Sequence, residues 1–124
     1  MAGGGRTVGA VTSPEEVGAM IAVAGRTWAA PEIRRYIIDL AAATRTLPEL
    51  RLGVSPRGSL ALLRASQAWA TGEGRNFVTP EDVKALAAAV FCHRMVLTPE
   101  AELAGRTGPD LLGGVVASVP VPQP

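Results

Sequence analysis

The chain has 124 residues, enough for one domain with its own apolar core, and a formal net charge of +1. That balance excludes the strongly basic footprint of a nucleic-acid binder or of a protein held on anionic lipid by charge. Hydrophobic residues make up 48% of the sequence but aromatics only 4%, so alanine, leucine and valine supply most of the apolar surface, a composition that favours helix packed on helix.

In chain order, residues 1–12 begin Met-Ala-Gly-Gly-Gly and read as a disordered lead or a linker remnant. A first helix is predicted from Ser13, with Pro14 at the first helical position and Glu16 three residues after the cap. Val17, Met20, Ile21 and Ala24 share its apolar face, and Gly25 is its stop. A second helix follows Pro31, where Ile33, Tyr36, Ile37, Leu40, Ala41 and Thr44 form a stripe at spacings of three and four. Arg34, Arg35, Asp39 and Arg45 lie off the stripe, and Pro48 closes the segment.

The third helix is predicted to start with Ser55 as cap and Pro56 in the first turn. Its expected buried face is Leu62, Leu63, Ser66, Trp69 and Ala70, and Gly72 and Gly74 end it. The fourth opens at Thr79-Pro80-Glu81-Asp82, with two carboxylates where the helix dipole favours negative charge. Val83, Leu86, Ala87, Val90 and Phe91 make its stripe, and His93 and Arg94 fall in its last turn. Residues 95–97 suit a short extended segment, and Leu111, Leu112, Val115 and Val116 a final short helix before a tail carrying Pro120, Pro122 and Pro124. The expected fold is all-α: a small bundle of about four main helices over residues 13–106, with 107–124 adding a short helix and a proline-rich tail packed on it.

The sequence contains no phosphate-binding loop of the Gly-x-x-x-x-Gly-Lys-Ser/Thr type and no apolar strand ending in Asp-Glu to hold magnesium. One histidine and one cysteine, His93 and Cys92, cannot supply the roughly four ligands of a zinc site. As helix neighbours they point about 100° apart, which also disfavours a catalytic pair. The lone cysteine permits no internal disulfide and suits a reducing cytoplasm. No apolar run reaches the ~18 residues of a membrane span, and residues 1–5 contain no signal-peptide core.

Arg57 is the leading candidate functional residue. It stands at the opening of the third helix, where free backbone N–H groups favour anions, and its planar guanidinium is suited to phosphate. The alternative is an ordinary solvated arginine. Ser55 is a possible support beside it. Arg45, near the end of the second helix, is a second possible support or simply a cation favoured by the helix dipole. Arg75 is positioned to pair with Glu73, Asp82 or a loop carbonyl, and Trp28 lies in a loop from which it could face a partner.

Four strings in order give these residues a context. Tyr36-Ile37-Ile38-Asp39-Leu40 with Ala43-Thr44-Arg45 is the first, and Leu52-Gly53-Val54-Ser55-Pro56-Arg57-Gly58-Ser59-Leu60-Ala61-Leu62-Leu63-Arg64 the second. Gly74-Arg75-Asn76-Phe77-Val78-Thr79-Pro80-Glu81-Asp82-Val83-Lys84 and then His93-Arg94 complete the set. Together they resemble the helical lid of MoxR-family AAA+ ATPases, over about residues 13–122.

The resemblance implies a lid that follows an α/β core and is catalytically silent alone. Arg57 would match the second-sensor arginine, reaching the phosphates of ATP and coupling nucleotide state to chaperone-like remodelling. ATP and Mg would be bound mainly by the core. Partners would be that core, neighbouring subunits of a ring oligomer and an unidentified client protein, with no nucleic acid and no membrane span. Because the core's motifs are missing from the sequence, a fragment or truncated gene is the expectation. The rival reading is a standalone helical interaction module whose core-facing patch drives self-association.

Overall fold

Pro31 opens the first described helix, α1 (Pro31–Thr44), from a position where its missing N–H costs nothing. The computed structural model describes residues 27–123; the predicted helix at 13–25 and the lead before it lie outside the described residues. The buried face of α1 is the predicted stripe of Ile33, Tyr36, Ile37, Leu40, Ala41 and Thr44. The helix stops at Thr44, with Arg45 as its C-cap, ahead of Pro48.

A short strand, β1 (Leu50–Leu52), pairs antiparallel with β2 (Val96–Leu97), Leu50 opposite Leu97 and Leu52 opposite Val96. The extended segment expected at 95–97 is therefore real over two residues. Its partner β1 was not anticipated, because the pairing joins segments more than 40 residues apart.

The second helix, α2 (Pro56–Gly72), takes Ser55 as N-cap with extended backbone, but the serine side chain makes no capping hydrogen bond. The Ser55 carbonyl instead receives the amides of Gly58 at 2.9 Å and Ser59 at 3.2 Å. The buried face is Gly58, Leu62, Ser66, Gln67 and Ala70. Trp69, expected inside, is 46% exposed, and Leu63 is only half-buried. Four-residue steps from Leu62 to Ser66 to Ala70 keep one line against the core, and the bulky indole is left on the flank. Gly74, in the left-handed region with φ +79°, turns the chain away from α2.

Helix α3 (Pro80–Phe91) starts with a complete capping box: the Thr79 side chain accepts the Asp82 amide at 3.2 Å, and the Asp82 carboxylate accepts the Thr79 amide at 2.8 Å. His93 and Arg94 were expected in its last turn. They belong instead to a separate 3-10 turn, Cys92–Arg94. A five-residue helix, α4 (Pro99–Leu103), was not expected, although Thr98-Pro99-Glu100 repeats the Thr-Pro-Glu start of α3 and Thr98 accepts the Ala101 amide at 3.1 Å. The final helix, α5 (Gly108–Ser118), buries Leu111, Leu112 and Val115.

The largest helix contact is α2 on α3; α1 lies on α2, and α5 lies on both α3 and α1. Tyr36, Leu40, Leu62, Val83, Phe91 and Leu112 meet in one apolar core, so α5 shares the core of the bundle. Among the described residues the fold is helical apart from the two-stranded sheet, and no helix is long and apolar enough to cross a membrane.

Candidate functional site

The turn between β1 and α2 carries Arg57, and it is held from three directions. From α1, the Thr44 hydroxyl donates to the Ala41 carbonyl at 2.6 Å and accepts the Val54 amide at 2.9 Å. The next residue, Arg45, donates from Nη1 to the Val54 carbonyl. Both polar groups of the Val54 peptide unit pair are thus satisfied by adjacent residues of one helix end, while the Val54 side chain is wholly buried.

Glycine makes the approach possible. A Cβ on Gly53 would lie 2.8 Å from the Arg45 backbone nitrogen and Cα. A Cβ on Gly58 would collide with Val54 Cγ1 and come within 3.0 Å of Arg94 Cδ. The third brace is therefore Arg94, whose aliphatic stem lies across Gly58 while its Nη1 donates to the Val90 carbonyl at 2.8 Å.

On this braced turn Arg57 is exposed, and among the described residues its guanidinium has no ion-pair or hydrogen-bond partner. Ser55 is exposed beside it. Arg45 is also brought to the turn, but as a hand on the Val54 carbonyl, which goes beyond the helix-dipole role that its position suggested. Arg45, Arg57 and Arg94 all lack a carboxylate partner among the described residues, where the ion pairs are those of Arg75 with Glu73 and Asp82 and of Arg106 with Glu49. The arrangement offers a positive, outward-facing donor suited to an anion. It fits one contact to a phosphate group and not a whole nucleotide site. No cluster of three or more His, Cys, Asp or Glu among the described residues could hold a metal ion.

Sequence reasoning singled out Arg57, Ser55 and Arg45 and missed the bracing roles of Thr44, Gly58 and Arg94. The signal for the glycines was present: Gly53 and Gly58 flank Arg57 in a short string, as expected where backbone must approach closely.

Arg75 belongs to a different, structural cluster. It donates to both Asp82 oxygens at 2.7 Å, to Glu73 at 2.6 Å and to the Phe77 carbonyl at 3.1 Å. The hydrogen bonds to Asp82, then Glu73, hold its pKa above the ordinary arginine value. Burial pushes the Asp82 carboxyl up, but the bonds from Arg75 and Thr79 outweigh this and leave it below the ordinary aspartate value. The cluster locks the α2–α3 connection. Nearby, Trp28 is 61% and Phe77 47% exposed, and their backbones form a parallel bridge. A groove of about 450 Å³ runs between α1 and α2, walled by Ile37, Ile38, Leu60 and Leu63, with Arg34 and Arg45 also lining it.

Residues 42–113 match the profile of the AAA lid domain. The chain is 39% identical over 110 residues to Protein MoxR of Paracoccus denitrificans, covering 77% of this chain and 32% of that protein. It is 34% identical over 98 residues to Chaperone MoxR1 of Mycobacterium tuberculosis, covering 71% and 26%. An uncharacterized Bacillus subtilis protein, YeaC, is 41% identical over 90 residues, covering 73% and 28%. A crystal structure from Cytophaga hutchinsonii, provisionally assigned as an ATPase, superposes with a TM-score of 0.77 at 26% identity, over 87% of this chain and 34% of that one. The chain belongs to the AAA lid domain family, as a lid of the MoxR type. It spans about a third of the length of the relatives it matches.

Proposed function

We propose that this lid works with an α/β ATPase core and that Arg57 is its second-sensor arginine. The supporting observation is the contrast between a rigidly held turn and an exposed guanidinium upon it that has no partner among the described residues. A cation carried by a braced backbone can meet the γ-phosphate without reorganising, and such preorganised charge stabilises the transition state of phosphoryl transfer. Loss of the phosphate removes the contact and releases the lid, which couples nucleotide state to lid position. ATP and Mg are held mainly by the core, in a ring oligomer whose movement remodels a client protein in the cytoplasm.

The test is Arg57→Ala in the full-length ATPase that carries this lid. ATP turnover falls by at least about tenfold, while the melting temperature of the 124-residue chain is unchanged. Wild-type turnover in that variant removes Arg57 from the mechanism. The lid alone is expected to turn over no ATP.

The apolar groove between α1 and α2, with Ile38 53% and Leu60 46% exposed, supports a second reading as a protein-interaction face. Light scattering separates the two: concentration-dependent self-association of the lid supports the interaction face, and a monodisperse monomer argues against it.

A further inference from the structure

We infer that Arg94 is the positioning residue for Arg57, seating the first turn of α2 through its side-chain stem. This inference rests on the sensor reading of Arg57 for its functional consequence, but its structural content is independent of that reading.

Arg94 is exposed and has no ion pair among the described residues, so a surface role in charge alone would leave its side chain unrestrained. The side chain is instead fixed at two points. Its Nη1 donates to the Val90 carbonyl at 2.8 Å, one turn back on α3. Its Cδ lies so close to Gly58 that a methyl group there would sit 3.0 Å away. The stem therefore bridges the end of α3 and the residue that follows Arg57. An aliphatic stem of a long cation can pack in this way while its charged head stays at the surface.

The other contacts on the turn act on Val54, three residues before Arg57: Thr44 on its amide and Arg45 on its carbonyl. Arg94 alone among these braces acts after Arg57, so the two sides together define where the sensor side chain leaves the backbone. The consequence is mechanical. Beyond the broad packing of α2 on α3, the Arg94 side chain ties the 3-10 turn after α3 to the residue that follows the sensor, so that displacement of one is transmitted to the other.

The first experiment uses the 124-residue chain itself. Amide hydrogen exchange is measured at Gly58 and Ser59, whose N–H groups bond to the Ser55 carbonyl. In Arg94→Ala these two amides exchange at least about fivefold faster, while amides in the middle of α1 are unchanged. Arg94→Lys keeps the stem and restores protection. Unchanged exchange in the alanine variant, or a lysine variant as fast as alanine, overturns the inference. So does an alanine variant that accelerates exchange uniformly along the chain, which marks general destabilisation.

The second experiment uses the full-length ATPase. Arg94→Ala raises the KM for ATP by at least about threefold, because a small misplacement of a positioned group weakens its contact, and Arg94→Lys returns it to near wild type. If Arg57→Ala lowers turnover but Arg94→Ala leaves KM unchanged, the positioning role falls and the sensor reading stands. If Arg57→Ala has no effect while Gly58 and Ser59 still lose protection in Arg94→Ala, the sensor reading falls and the bracing contact stands.

Discussion

Thr44 receives the backbone amide of Val54 on its hydroxyl at 2.9 Å, ten residues further along the chain and in a fully buried environment. The same hydroxyl donates to the Ala41 carbonyl at 2.6 Å, so one oxygen closes α1 and fixes the approach to α2.

Thr44→Val tests that contact with almost no change in shape. Valine fills the same space but leaves the buried Val54 amide without a partner, which costs about 1–3 kcal/mol. Urea unfolding of the lid is expected to show a lower midpoint by that amount with an unchanged m-value. A variant as stable as wild type would mean that the Val54 amide is satisfied by other means.

Gly58 and Gly114 predict opposite signs for one substitution. Gly58→Ala puts a methyl group against Val54 Cγ1 and the Arg94 stem, in a region with no open space. Overpacking of that kind costs about 1–3 kcal/mol. Gly114, inside α5, has nothing within 4 Å of a Cβ, so Gly114→Ala gains about 0.5–1 kcal/mol by narrowing the unfolded ensemble and improving helix propensity. Thermal melts of the two variants check the pair, and a stabilised Gly58→Ala would contradict the close packing described at the turn.

Asp82 makes the lid sensitive to acid. Its carboxylate caps α3 and holds Arg75, and its folded pKa lies below the ordinary aspartate value because those bonds outweigh its burial. A depressed folded pKa contributes stability that is present above the unfolded value and is lost as pH falls through the folded one. Stability measured from neutral pH downward is therefore expected to fall once the pH drops below the ordinary aspartate range. Asp82→Asn, neutral throughout, starts about 1–2 kcal/mol lower at neutral pH, in the range of a lost cap, and shows a flatter acid limb. A variant with the same acid slope as wild type would place the titration on another group.

The starts of α1, α2 and α3 were legible in the sequence alone, because the signals are local. Pro31, Pro56 and Pro80 occupy first-turn positions, and Thr79 and Asp82 complete a capping box within four residues. The buried stripe of α1 was legible for the same reason: a period near 3.6 with bulky apolar residues leaves one face for the core. The order of the four strings likewise needed only the linear chain. What lay beyond it were relationships between distant segments. The pairing of β1 with β2, the exposure of Trp69, the grip of Arg45 on Val54 and the passage of Arg94 across Gly58 all depend on which helix faces which. Periodicity assigns a residue to a side of its own helix but not to a neighbour, so only the packed bundle could turn a string containing two glycines and an arginine into a braced turn that carries an exposed guanidinium without a partner among the described residues.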